Sequence, residues 1–210
     1  MRAATYHVAM ATAARDDRAP AAPNRYLGLV RRIESTRGLD RVVDAADPVA
    51  SRLIAKPRRA AFFRGDATGI PPHVVLTDVP FGAWFMALFL DTFRDESSRV
   101  ASRRLIGAGV IAAAPTAIAG WAEWARQPRR LRRVGVVHAS ANVAAVITFG
   151  TSWLARRQRK QGLGVALGVT GGAFAIIGGF LGGHLRAESR SDTEVDREPQ
   201  SRSARTGMPE

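Results

Sequence analysis

Residues 163–185 read LGVALGVTGGAFAIIGGFLGGHL and contain no Asp, Glu, Lys or Arg. A run of this length is about what an α-helix needs to cross ~30 Å of hydrocarbon. Three further apolar runs precede it, at residues 74–93, 105–124 and 135–154. Because a backbone inside a bilayer must satisfy its own hydrogen bonds, each run is predicted to be a helix. The sequence therefore predicts an all-α integral membrane protein in contact with the lipid bilayer.

The segments that connect the four runs are short, at residues 94–104, 125–134 and 155–162. Short connections force neighbouring helices to run antiparallel, so we expect an up-down-up-down four-helix bundle. Arginines flank every run and are more numerous on the side that holds both termini. The positive-inside rule then places both termini in the cytoplasm.

The rest of the chain divides by composition. Residues 1–24 are rich in Ala, Arg and Pro, and residues 188–210 in Ser, Arg, Glu and Asp, so both are expected to be disordered. Residues 67–187 form the predicted four-helix transmembrane domain. Residues 25–66 are predicted to be an amphipathic helical segment that lies on the membrane surface or packs on its own protein. Within it, Asp47 and Pro48 predict a break between two short helices.

Charge and composition restrict the class of protein. The formal net charge is +13, but no nucleic-acid recognition motif accompanies it, so we expect the arginines to meet lipid headgroups instead of nucleic acid. The chain has no cysteine, which excludes disulfides, thiolate metal sites and a self-contained iron–sulfur cluster. Arg greatly exceeds Lys in a chain rich in Ala and Gly, which indicates GC-rich coding and favours a bacterial inner-membrane protein.

Polar side chains inside apolar runs are costly and therefore indicate sites. The antiparallel order brings one end of every helix to the same membrane face. The groups expected at that face are His73, Asp78, Glu123, His138, Asn142 and His184. Asp91 lies at the opposite face, where Arg94 or Arg103 is its expected partner. Pro80 should bend the first helix, and Gly172 and Gly179 should face other helices at close range.

Three chemistries fit this polar cluster. His73, His138 and His184 can bind a metal ion, or two of them can ligate a haem iron, with Asp78, Glu123 and Asn142 as supporting groups. The same histidines can instead serve only to organise the bundle, or can line a path for protons or small solutes. No HExxH, CxxC or CxxCH motif occurs, so we identify no catalytic residue and expect no enzyme activity from the chain alone.

Four motifs resemble one known family. They read GIPPHVVLTDVPFGAW (69–84), AGWAEW (119–124), RVGVVHASAN (133–142) and GGHL (182–185). In this order they resemble the bacterial membrane family labelled domain of unknown function 2231, over about residues 65–187. The family's first motif usually has a further histidine where this chain has Ile70, and a proline where it has Val74. The resemblance implies a four-helix membrane fold.

Some members of that family are joined to Rieske-type iron–sulfur domains, so the resemblance also implies a redox setting. Since this chain has no cysteine, a redox partner would be a separate protein. The leading functional hypothesis is a haem- or metal-binding subunit in membrane electron transfer. The alternatives are a structural or partner-binding membrane protein without a cofactor, in which a homo-oligomer is one arrangement, and a proton or small-solute conduit.

Overall fold

The computed structural model describes residues 25–206, and the side chains of residues 25–189 within that range. The segment predicted to be disordered at residues 1–24 lies outside the described residues. A short 3-10 turn, Arg37–Leu39, joins the first two helices. The helices are α1 (Arg25–Ser35), α2 (Asp40–Ile54), α3 (Pro57–Arg64), α4 (Pro72–Leu90), α5 (Glu96–Trp124), α6 (Arg129–Arg157) and α7 (Gln161–Thr206).

The prediction of four membrane spans is confirmed. The helices long and apolar enough to cross a membrane are Pro72–Leu90, Glu96–Trp124, Arg129–Arg157 and Gln161–Ser189. Most of them extend past the apolar runs, because helical hydrogen bonding continues through the flanking arginines at the membrane interface. The Asp95 side chain caps α5 by accepting a hydrogen bond from the Ser98 backbone N–H at 2.9 Å. Hydrogen bonds from the Ser98 side chain and backbone hold the pKa of Asp95 below its usual value.

The C-terminal end of α7 differs from the prediction. Disorder was expected for residues 188–210. The backbone of α7 is helical through Thr206, and residues 207–210 lie outside the described residues. Between residues 186 and 198 the sequence has neither Gly nor Pro, so no helix breaker stops a helix that the membrane span has already nucleated.

The four long helices form one closed bundle. Each contacts the helix that follows it, and α4 also contacts α7, which closes the ring. The glycine prediction agrees with the packing: Gly172 lies against Leu88, and Gly179 lies against Phe81. An even number of spans puts both ends of the bundle on one side. Its assignment to the cytoplasm stays a prediction, which reporter fusions at residues 60 and 190 can check.

The N-terminal helices pack on the bundle at the end that holds its termini. Val30, Val43 and Ala50 are fully buried there. Three arginines at the start of α6 pair with three carboxylates along α2. The pairs are Arg129–Asp44 at 2.7 Å, Arg132–Asp47 at 2.6 Å and Arg133–Asp40 at 2.7 Å. The segment therefore packs on its own protein. The apolar pattern of the sequence did not reveal these ion pairs between α2 and α6.

The same N-terminal segment also has an apolar outer face. Its exposed side chains include Leu27, Leu29, Val42, Val49 and Phe62. Such a face suits the boundary between headgroups and acyl chains, so contact of this face with the membrane surface stays a prediction. A hydrogen bond from Arg133, with the charge of Arg129, holds the pKa of Asp40 below its usual value and keeps its carboxylate ionised.

The predicted break at Asp47 and Pro48 is wrong, because α2 continues through Pro48 to Ile54. Proline removes one backbone donor from a helix interior. The helix persists because Val43 and Ala50, two turns apart on one face, are both fully buried against the rest of the protein. Tertiary packing thus outweighs the local cost of the proline.

The two helical hairpins of the bundle are structurally equivalent. In each, a side chain of the first helix lies against a glycine of the second, at two levels. The contacts are His73–Gly120 and Trp84–Gly109 in the first hairpin, and His138–Gly182 and Phe149–Gly171 in the second. The spacing between equivalent residues is constant. Those of the first helices are 65 positions apart (His73 and His138, Trp84 and Phe149), and those of the second helices are 62 positions apart (Gly120 and Gly182, Gly109 and Gly171). Trp84 and Phe149 stack on each other at 4.4 Å, which places the pseudo-twofold axis between them.

A buried ion pair closes the bundle at the end opposite the termini. Arg156 donates to both carboxylate oxygens of Asp91, each at 2.6 Å, and their side chains are 1% and 4% exposed. The Ser102 hydroxyl lies 2.8 Å from Asp91, and Arg156 also donates to the Gly164 carbonyl. The expected partners of Asp91, Arg94 and Arg103, are therefore wrong. The helix registers put Arg156 at the position equivalent to Asp91, since 156 minus 91 is also 65.

Removing one member of this pair should destabilise the protein strongly. Asp91→Asn leaves the Arg156 guanidinium buried without a counter-charge, which costs about 3–5 kcal/mol in comparable buried pairs. We expect a large fall in the thermal unfolding temperature of detergent-purified protein. Arg94→Ala is the matched control and should leave that temperature unchanged, because Arg94 is exposed. An equal effect of the two substitutions would contradict the assigned pairing.

Candidate functional site

His73 joins α4 to α5 near the end of the bundle that holds the termini. Its Nδ1 lies 3.1 Å from the Thr116 carbonyl oxygen, so Nδ1 carries the proton and donates it. The imidazole lies against Gly120, where a Cβ atom would come within 2.9 Å of the ring. Its Nε2 makes no hydrogen bond within residues 25–189, which leaves a lone pair on that nitrogen.

His138 occupies the equivalent place between α6 and α7. Its Nδ1 lies 2.8 Å from the Gly178 carbonyl oxygen and must donate to it. Its Nε2 is then an acceptor, and the Asn142 amide lies 3.0 Å away to donate to it. Glycine again makes the room: Gly182 lies under the His138 ring, and Gly178 lies under the Asn142 amide. Both ring nitrogens of His138 are therefore engaged by protein groups.

His184 is hydrogen bonded to the N-terminal segment. Its Nε2 lies 2.9 Å from Glu34 of α1, a residue that the sequence analysis did not consider. Gly182 lies against His138, and a residue two positions further along a helix is rotated by ~200°. Helix order predicted the depth of His184 along the membrane but not the direction of its side chain. The rotation turns that side chain toward the N-terminal segment.

The two carboxylates expected to support the histidines, Asp78 and Glu123, form no hydrogen bond with them within residues 25–189. Asp78 is exposed on the outer surface of α4 and makes no hydrogen bond or ion pair within residues 25–189. Glu123 has one buried oxygen without a hydrogen-bond partner among the described residues. The neighbouring Arg126 donates to carbonyls of α3, and burial lowers its pKa while the charge of Glu123 opposes that shift.

These placements define what the cluster offers chemically. Asn142 joins His138, while His73 and His138 hold equivalent positions in the two hairpins. Within residues 25–189, no three His, Cys, Asp or Glu side chains are arranged to hold one metal ion. The binding of haem or metal by His73, His138 and His184 stays a prediction.

Thr116 is a residue of this region that sequence reasoning missed. Pro80 lacks the N–H that would bond to the Leu76 carbonyl, yet α4 runs through Pro80 without interruption. The Thr116 hydroxyl lies 3.0 Å from that Leu76 oxygen and 2.9 Å from the Ala112 carbonyl oxygen of its own helix, so its one proton is shared between the two acceptors. The Thr116 carbonyl meanwhile accepts from His73. The sequence offered one signal for this contact, a proline in one membrane helix and a threonine in the next. Only the packing shows that the threonine lies beside the proline turn.

The protein is therefore a four-span helical membrane protein in which histidines form hydrogen bonds between neighbouring helices. The family model described as "Predicted membrane protein (DUF2231)" matches residues 69–195. Because the match covers more than half of the chain, the protein belongs to this family, as its motifs indicated. Comparison with curated proteins and with solved structures found no match.

Substituting Thr116 by Val should weaken the contact between α4 and α5. The change keeps the shape but leaves the Leu76 carbonyl without a donor, which costs about 1–3 kcal/mol for a buried group. We expect a lower unfolding temperature in detergent. Thr151→Val is the control, because the Thr151 hydroxyl bonds only within its own helix, at an exposed position. Equal stability of both variants would contradict the role given to Thr116.

Proposed function

We propose that this chain is a partner-binding membrane subunit that docks another membrane protein on the outer face of α4. The observation that carries the proposal is the exposed carboxylate of Asp78, which has no hydrogen-bond or ion-pair partner within residues 25–189. Asp78 follows the start of α4 by six residues, about 9 Å along the helix. Since α4 is only 19 residues long, nearly all of it is needed to cross the hydrocarbon, and Asp78 lies inside it.

A carboxylate in that position needs a counter-group that the described chain does not supply. The residues around it suit a helix contact: Val75 and Val79 are 56% and 53% exposed, and no atom lies near the open side of Gly82. If a second copy of the chain packed on α4 through a twofold axis, its Asp78 would face the Asp78 of the first copy, and the two like charges would repel each other. The favoured occupant is therefore a different protein with a basic or hydrogen-bond-donating side chain in its membrane helix, and a separate redox protein is the class that the family resemblance suggests.

The hairpin equivalence supplies a control for testing this contact. Val143 occupies the position of Asp78 in the second hairpin, since 143 minus 78 is 65, and it is 57% exposed. A photoreactive residue at Val79 should give a crosslinked product in native membranes, whereas one at Val143, which is similarly exposed on the second hairpin, should not. Asp78→Leu should abolish the product while leaving the unfolding temperature of the purified protein unchanged or higher, because no internal contact is lost.

Three results would contradict this proposal. The absence of any product at position 79 would show that lipid covers the face, and a product that persists in Asp78→Leu would show that the carboxylate does not matter. A product with twice the 22.6 kDa mass of the chain would assign the surface to a second copy instead.

Haem binding between α4 and α6 is the second candidate, and one observation favours it. His73 and His138 both donate Nδ1–H to a backbone carbonyl, as iron-ligating histidines do. The lone pair of His73 is free within the described residues, whereas that of His138 accepts from Asn142. Haem would supply one-electron transfer, and its binding requires the Asn142 side chain to turn away.

Haem titration into detergent-purified protein tests this second candidate. If His73 and His138 bind the haem iron, a Soret band should form and should be lost in His73→Ala and in His138→Ala. Asn142→Ala should bind haem more tightly, because it frees the His138 lone pair. The absence of a Soret band from both the unsubstituted protein and Asn142→Ala would reject haem and leave the histidines as ties between helices.

A further inference from the structure

A basic cavity lies at the end of the bundle opposite the termini. It has a volume of about 420 Å³ and is lined by Arg103 and Arg104 of α5 and by Trp153 and Arg157 of α6. Arg104 and Arg157 are exposed, and Arg103 is half-buried. The cavity is a shallow depression open to its surroundings, so a ligand would lie on it and would not be enclosed.

The cavity is held open by specific packing. The Nε1 edge of the Trp153 indole lies against Gly107, where a Cβ atom would come within 2.9 Å of Nε1. The Arg157 guanidinium stacks over the Trp153 ring, 4.8 Å from its centroid. The glycine thus positions the tryptophan, and the tryptophan holds Arg157 beside the two arginines of α5.

The three guanidinium groups have no counter-charge in the described part of the chain. Within residues 25–189, Arg103, Arg104 and Arg157 form no ion pair. The nearby acids are engaged elsewhere: Asp91 is held by Arg156, and Asp95 caps α5. At the other end of the bundle the arginines of α6 pair with Asp40, Asp44 and Asp47. These three guanidinium groups are therefore available to an external anion.

The depth of the cavity indicates the source of that anion. Arg104 precedes the end of α5 by 20 residues, about 30 Å along the helix, so it lies where the hydrocarbon meets the headgroups. Planar guanidinium groups bind phosphate oxygens in pairs, and Trp is the residue that favours this interface. We propose that Arg103, Arg104, Trp153 and Arg157 form a binding site for the phosphate headgroup of an anionic phospholipid.

Native mass spectrometry of the full chain in neutral detergent tests this site. The probes are phosphatidylglycerol, phosphatidylcholine and inorganic phosphate. The intact protein should retain phosphatidylglycerol in preference to phosphatidylcholine. The triple substitution Arg103→Gln, Arg104→Gln, Arg157→Gln should weaken that binding roughly a hundredfold, because each basic residue near an anionic membrane contributes about fivefold.

The control carries the same change of charge at exposed positions of α1 and α2: Arg31→Gln, Arg41→Gln, Arg52→Gln. It should bind phosphatidylglycerol as the intact protein does. Equal binding by both triple variants, or equal loss in both, would overturn the site. Retention of inorganic phosphate without phosphatidylglycerol would overturn the lipid assignment. If the triple variant does not fold, Arg157→Gln alone should lower the affinity about fivefold, and unchanged affinity would overturn the proposal.

Discussion

The ion pair between Asp91 and Arg156 sets the registers of the four membrane helices at one end of the bundle. Its atoms are buried, and each remaining hydrogen-bonding position is filled by Ser102, Ser152 or Gly164. One element from every helix or its adjoining turn contributes, so a shift of any helix would strand a charge in a nonpolar surrounding. The pair also crosses the pseudo-twofold axis, where equivalent positions carry opposite charges.

The other end of the bundle is organised by neutral hydrogen bonds. His73 and His138 each donate to a carbonyl of the following helix and lie on a glycine one turn further along it. Thr116 supplies the donor that Pro80 removes from α4. Membrane helices gain little from hydrophobic association, so close packing on glycine and satisfied polar groups hold them together. Asp78 lies outside this arrangement, and the proposed partner contact rests on that placement.

The two ends also differ in how they treat positive charge. At the end with the termini, α2 supplies a row of carboxylates for the arginines of α6, and α3 supplies carbonyls for Arg126. At the opposite end, the cavity arginines meet no carboxylate within residues 25–189. One surface therefore holds a segment of the same chain, and the other leaves guanidinium groups without an ion pair among the described residues.

Hydropathy and length fixed the four spans and their antiparallel order, because each run is long enough to cross a bilayer and each connection is short. The same reasoning placed His73, His138 and His184 near one face. It could not find Arg156 as the partner of Asp91, Glu34 as the partner of His184, or the continuation of α2 through Pro48. These depend on the rotation and register of each helix, and close packing against neighbouring helices decides both, since every apolar face is equally acceptable to lipid.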